Sequence, residues 1–340
     1  MSNQGGYQVR ILASGFAVLD IIAAGIDRLP NPGETVFAPL GIKFWIGGHP
    51  VNLSVDLMQL GCRRGDVGIA VAVGEDLGGE FIRRKLKESG VITFLQVAKN
   101  EDTSKTIVLV LKGRDRSFIG FPGANLHLDP DHVINSIKRF SPDVFYVACG
   151  ILGRFDSALG EILSSCHQWG MLTFMDVTRP YGKGWDFIYD ALKHVDILHV
   201  NTNELRSITG HDNIEEGLRK LHDLGVRLPI VTDGEAGVIA LHAGKYIQQP
   251  GFKVNVIDPT GAGDAFCAGF LKKIYDKDIR RDELSNLKYD ELIEMLLFAQ
   301  AAGAACVESI GTTTGVSLKR VEEFLKSQGE RVLSLTKIKS

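Results

Sequence analysis

The chain has 340 residues with a formal net charge of −3, 44% hydrophobic and 23% charged. That balance is ordinary for a globular protein and excludes a disordered chain, and the slight acidity, with no Lys/Arg cluster interleaved with aromatics, argues against a nucleic-acid partner. Short, interrupted apolar runs give no membrane span, Met1 to Gly6 reads as a loose polar tail, and five scattered cysteines without a C-x-x-C pair point to free thiols, a cytoplasmic location and no zinc site.

Val9 to Ala13 reads as a first strand ending at Gly15, with Asp20 just beyond it, where α/β folds place ligand-facing polar residues. Leu29-Pro30-Asn31-Pro32-Gly33 breaks the pattern before a strand-like stretch at 36–46. Gly47-Gly48 turns the chain, and Pro50 suits the first turn of a helix over 51–60. A buried strand at 67–73 precedes a glycine-rich turn and a helix over 80–88. Three short runs at 91–97, 106–111 and 117–121, together with 33–46, predict a small sheet separate from the main one. From Asp129 onward, helices over 131–140, 155–169 and 214–224 alternate with strands at 144–148, 172–177, 197–200 and 229–232. This predicts a mostly parallel sheet covered on both faces. Strands at 238–241 and 246–250 and helices over 290–307 and 318–326 close the chain, with no internal repeat.

The organising stretch is Asp258-Pro259-Thr260-Gly261-Ala262-Gly263-Asp264-Ala265-Phe266. Pro259 stops any preceding helix, the two glycines permit a sharp turn, and Phe266, Gly269, Phe270 and Ile274 continue at helical spacing. A helix start of this kind presents unpaired N–H groups and the positive end of the macrodipole, which favour an anion. Two readings of Asp264 fit: a stabilising first-turn acid, or a carboxylate that takes the proton of a hydroxyl being phosphorylated.

Other segments carry the same ambiguity. Asn201-Thr202-Asn203-Glu204 has the spacing of a capping box, and an acid such as Glu204 also suits the water shell of Mg²⁺. Thr232-Asp233-Gly234-Glu235-Ala236-Gly237 reads as a hairpin turn or a nucleotide loop. Gly47-Gly48-His49-Pro50-Val51-Asn52 reads as a turn, or as backbone and amide set against a polyhydroxy substrate, with His49 a packing or surface residue in preference to a base. Asp20 fits a solvated loop acid or a carboxylate accepting two sugar hydroxyls beside Asn52.

Together, DPTGAGDAFCAGF at 258–270 and Gly47-Gly48 with Asn52 resemble the two signatures of the ribokinase-like, phosphofructokinase-B-type carbohydrate kinases, and the likeness runs over essentially the whole chain. The resemblance implies a single α/β domain, a three-layer αβα sandwich with a mostly parallel central sheet and a small β-sheet lid from about 33–46 and 91–121. It implies an ATP- and Mg²⁺-dependent sugar kinase with Asp264 as catalytic base and Gly261, Ala262 and Gly263 as the anion hole. By the same likeness Asp20, Gly48 and Asn52 grip the sugar, Asn201 with Glu204 positions Mg²⁺ and phosphates, and Thr232, Gly234 and Gly237 form the nucleotide loop. Backbone around Asp258, Thr260 and Gly311 matches the region where some members hold K⁺, and the lid of many relatives makes a homodimer contact.

Two departures bear on the substrate. His49 replaces the small residue or lysine common after the paired glycines. Asp176-Val177-Thr178-Arg179-Pro180 looks like the Asp-x-Asn-x-Arg segment of fructokinases and 2-keto-3-deoxygluconate kinases, which makes Arg179 a substrate-binding candidate, whereas Gly123-Ala124-Asn125 is similar to ribokinases and nucleoside kinases. A sugar or sugar acid and a nucleoside both remain open as acceptor.

Overall fold

The computed structural model describes residues 8–112 and 116–340, so the tail expected at Met1 to Gly6 lies outside the described residues. Its strands are β1 (Ile11–Gly15), β2 (Val18–Ile26), β3 (Ile42–Gly47), β4 (Val67–Gly74), β5 (Ile92–Ala98), β6 (Lys105–Leu111) and β7 (Ser117–Phe121), then β8 (Val144–Cys149), β9 (Leu172–Val177), β10 (Ile197–Asn201), β11 (Leu228–Thr232), β12 (Val238–His242), β13 (Lys245–Gln249) and β14 (Lys337–Lys339). Ten of these form one sheet in the order β14-β13-β12-β11-β10-β9-β8-β1-β4-β5. From β11 to β5 every neighbouring pair is parallel, while β12, β13 and β14 extend it antiparallel.

The strand sequences explain this burial. ILASG, VGIAVAVG and VFYVAC are buried at every position, as a strand with helices on both faces must be. Helices Pro130–Phe140, Leu159–Gln168 and Ile214–Asp223 pack on β4, β9 and β11, and helices His49–Gln59, Ala262–Lys277 and Tyr289–Val307 pack together over β1, β4 and β8. The layered αβα architecture expected from the alternation is present. Because β1 has β4 on one side and β8 on the other, the chain reverses its direction of progress there, and the C-terminal strand ends around that reversal form the crevice.

The small sheet has the order β3-β2-β6-β7. Its make-up corrects two expectations. Residues 92–98 belong to the large sheet, pairing parallel with β4 from Gly68↔Ile92 to Gly74↔Ala98; as an edge strand this segment is only half covered, which gives it the mixed pattern of a small two-sided sheet. Conversely, Asp20 does not sit in a loop but inside β2, the strand that joins β3 to β6. Of 36–46, only Ile42 onward is strand, and the last long helix runs on to Leu335.

Cross-strand register gives the small sheet two unlike faces. Phe44, Ile21, Ile107 and Ile119 are successive partners and so lie on one face, where Phe44, Ile107 and Ile119 are exposed. Trp45, Asp20 and Thr106 lie on the other, and Trp45 meets Gly311 there, since a Cβ on Gly311 would come within 2.9 Å of the indole.

The helix that opens at Ala262 is fixed by its close approach to Tyr289–Val307: a Cβ on Gly269 would lie 2.8 Å from Ala299 Cα and 3.0 Å from Ala302 Cβ. Gly269→Val is expected to cost about 1–3 kcal/mol of stability through overpacking and so to lower the urea midpoint, checked by equilibrium denaturation followed by circular dichroism.

Candidate active site

The turn before the Ala262–Lys277 helix is held by one carboxylate. Asp258 Oδ1 accepts from the Thr260 N–H (3.0 Å) and hydroxyl (2.6 Å), and its Oδ2 accepts from the Gly311 N–H (3.2 Å), tying together segments about fifty residues apart. Gly261 caps the helix at φ 84°, and a Cβ there would lie 2.4 Å from the Thr312 carbonyl, so both backbone conformation and space demand glycine. No side chain caps this helix, and no hydrogen bond from the N–H of Gly261, Gly263 or Asp264 to another residue is seen among the described residues. Those donors and the helix dipole are available to an anion.

Asp264 follows in the first turn and is buried, 5% exposed. Its Oδ2 accepts from Asn52 Nδ2 at 2.7 Å, and its Oδ1 lies 3.8 Å from His49 Nδ1. Burial raises its pKa above the ordinary value, and His49 is the largest influence in the opposite direction. Asn52 in turn places its Oδ1 2.9 Å from Thr312 Oγ1, so its amide serves the carboxylate as well as facing the crevice. The Gly48 that starts its helix has φ 93°, and a Cβ would lie 2.2 Å from the Phe16 carbonyl.

Asp20 comes to the same place from the small sheet. Its carboxylate packs where a Cβ on Gly47 would sit, 2.2 Å away, which is why the first of the paired glycines is needed. Burial, then Asp264 and Asp258, push its pKa up to about 7.

A second polar chain runs behind Asp264 toward the nucleotide-loop candidates. Asp176, at the end of β9, has Oδ2 3.2 Å from His49 Nδ1 and accepts a 3.0 Å bond from the Tyr146 hydroxyl, while Oδ1 lies 3.2 Å from His199 Nδ1. Although burial opposes it, His49 and His199 hold this carboxyl well below the usual carboxylate range. His199 Nε2 lies 3.0 Å from Thr232 Oγ1. His199 is not placed in a site by the sequence, His49 reads there as a packing or surface residue that alters the sugar side of the site, and Asp176 serves only as a family marker. The signal available was an acid or histidine breaking the apolar run near the C-terminal end of a buried strand, as in LTFMDV and ILHVN.

The structural readings of two loops, a capping box and a hairpin turn, are realised. Asn201 caps the helix Thr202–Thr209 and Glu204 reciprocates to the Asn201 N–H, a complete capping box. Burial, then Asp176, nonetheless raises the Glu204 pKa to about 7. Thr232 to Gly237 joins the antiparallel β11 and β12, with Gly237 at φ 96° against the Gln249 carbonyl and nothing within 4 Å of a Cβ on Gly234. Thr232, Gly234 and Gly237 line a mainly apolar cavity of about 230 Å³ with Phe266, Ala304 and Val307, and the same cavity reaches Ala262 and Gly263. Arg179 lies exposed past β9 and makes no ion pair or side-chain hydrogen bond recorded among the described residues.

A model of the pfkB family carbohydrate kinases matches residues 14–319. The chain belongs to that family. This pfkB-type kinase is 28% identical to a fructokinase of Klebsiella pneumoniae over 91% of the chain and 97% of the relative. It is 27% identical to the ribokinase of Bacillus subtilis over 93% and 99%. The structure of Arabidopsis thaliana ribokinase complexed with ribose and ATP superposes with a TM-score of 0.75 at 25% identity, covering 94% of this chain and 99% of that one. The kinase is thus ATP-dependent and acts in a family of sugar and nucleoside kinases.

A raised pKa on Asp20 has a definite sign. Below about pH 4 Asp20 is protonated folded and unfolded; between pH 4 and 7 only the unfolded state ionises, so stability falls, and above pH 7 the penalty is complete. Without ligands, Asp20→Asn is expected to be more stable than wild type at pH 8 by about 3 kcal/mol and equal near pH 4, measured by urea unfolding at both pH values.

Proposed function

We propose that this kinase transfers the γ-phosphate of ATP to a primary hydroxyl of a small sugar or sugar acid of the ribose, fructose or 2-keto-3-deoxygluconate type, with Asp264 as catalytic base. The observation that carries this is the position of Asp264, a buried carboxylate at a helix start where the N–H groups of Gly261, Gly263 and Asp264 have no protein partner among the described residues, next to Gly263, which lines an apolar cavity. The acceptor hydroxyl gives its proton to Asp264 as its oxygen attacks, and the N–H groups of Gly261, Ala262 and Gly263 face the charge gathering on the transferring group. Asn52 keeps the base turned toward the acceptor, and its second amide proton remains for a sugar hydroxyl. Asp20 and the Gly48 backbone grip further hydroxyls, and Arg179 reaches an anionic group on a sugar acid.

Thr232, Gly234 and Gly237 border the nucleotide, with the apolar cavity beside them for its base. Glu204, with Asn201 beside it, fits a hydrated Mg²⁺: burial and the neighbouring Asp176 raise its pKa to about 7, and a cation would favour its charged form. Bound there, Mg²⁺ neutralises phosphate charge. The monovalent-cation region around Asp258, Thr260 and Gly311 is rich in carbonyls, with those of Thr260 and Thr312 converging on Cys306 Sγ at 3.4 and 3.2 Å, and K⁺ fits this surrounding. The small sheet acts as the lid of a single kinase domain, and its exposed row of Phe44, Ile107 and Ile119 suits a second copy of the chain across a homodimer.

Asp264→Asn is expected to keep the fold and ATP affinity while lowering turnover by about two to four orders of magnitude; turnover near wild type would remove the base assignment. Coupled ADP release over ribose, fructose, 2-keto-3-deoxygluconate, adenosine, inosine and cytidine identifies the acceptor, and activity confined to the nucleosides would replace the sugar reading by a nucleoside kinase. Ile107→Asp with Ile119→Asp is expected to give a monomer by sedimentation; an unchanged sedimentation coefficient would refute dimerisation through the lid.

A further inference from the structure

His49 opens the His49–Gln59 helix, where a cation opposes the helix dipole, so the helix itself gains nothing from its charge. The ring packs against Phe16 with centroids 4.8 Å apart, and its Nδ1 is buried between two carboxylates, 3.2 Å from Asp176 Oδ2 and 3.8 Å from Asp264 Oδ1. Neither carboxylate has a lysine or arginine within ion-pair distance among the described residues. Asp176 is itself fixed from behind by Tyr146 and His199, so the histidine rests on a rigid support.

We propose that His49 is a positioning residue for phosphoryl transfer: its imidazolium, wedged between Asp176 and Asp264, keeps the Asp264 carboxylate charged and oriented toward the acceptor hydroxyl. This rests on the assignment of Asp264 as the base. The need for such a cation comes from the surroundings. Asp264 is buried in the field of Asp176 on β9, Asp20 on β2, Asp56 on the His49 helix and Asp258 in the preceding turn, with Glu204 beyond on its own helix and His199 on β10. Cys267 and Tyr146, also facing this cluster, are held neutral by burial. Desolvation works against charge on His49, yet Asp264 and Asp176 outweigh it and raise its pKa to about 10. The imidazolium therefore persists across the range in which a kinase works, and without it burial and the neighbouring acids would draw a proton onto Asp264.

The wild-type protein supplies the first test. The His49 ring, assigned by its loss in His49→Asn, should remain doubly protonated at pH 8 by ¹⁵N NMR; a ring already neutral at pH 7 overturns the proposal. In His49→Asn the acid limb of kcat/KM for ADP release should move up by roughly one pH unit or more, and His49→Lys should move it back. The same displacement is read without any acceptor from the ¹³C-carboxyl titration of Asp264, assigned with Asp264→Asn. An unmoved titration in a folded His49→Asn protein overturns the proposal, as does lost thermal stability with no change in the limb and no rescue by lysine, the pattern of packing alone. The two readings fail separately: a near-normal Asp264→Asn enzyme removes the base, whereas an inactive Asp264→Asn enzyme with an unmoved His49→Asn titration removes only the role of His49.

Discussion

One hydrogen bond, from Asn52 Nδ2 to Asp264 Oδ2 at 2.7 Å, joins residues 212 positions apart and sets where everything else in the crevice lies. A carboxylate taken out of water at the start of a helix is costly unless a donor meets it. Meeting it requires the His49–Gln59 helix to begin at one place, hence Gly48 in a backbone conformation closed to other residues and Pro50 in the first turn. It also requires Thr312 to steady the far side of the amide, which binds the loop after Tyr289–Val307 into the same unit.

The acids of the crevice divide by how the fold treats them. Asp258 is surrounded by backbone and hydroxyl donors, and Asp176 by two imidazoles and a phenol; these have fixed partners and act as braces. Asp20 and Glu204 lack comparable compensation, and each is raised to about 7. Stability is given up at those two positions above the ordinary carboxylate range.

Much of this was legible in the sequence because it is local. The turn and helix at 258–277 follow from Pro259, Gly261, Gly263 and the apolar spacing after them, and the capping box at Asn201 and the hairpin at Thr232 follow from four- and six-residue patterns. What was not legible depends on pairing between distant segments. Whether 92–98 joins β4 or the small sheet is a choice of neighbour, and an edge strand looks the same in either. Asp20 was read as lying past a strand because Phe16 and Ala17 link β1 to β2 almost without a loop, and only pairing with β3 and β6 distinguishes the second strand from an extended connection. His199 carries no spacing signal, and nothing in the Gly47–Asn52 motif pairs His49 with it; the two belong together because β9 and β10 are neighbours and both rings reach Asp176 at the end of β9.

The wide separation of Asn52 and Asp264 also bears on how the molecule comes into being. Synthesis proceeds from the N-terminus, so β1, β4 and the helix carrying Asn52 leave the ribosome long before the helix that covers them. Until residues beyond 300 have emerged, the face of the His49–Gln59 helix that packs on Ala262–Lys277 is bare, and Thr312, the last contributor to the crevice, is missing. The order of the polypeptide thereby delays phosphoryl-transfer chemistry until Thr312 has joined Asn52 and Asp264.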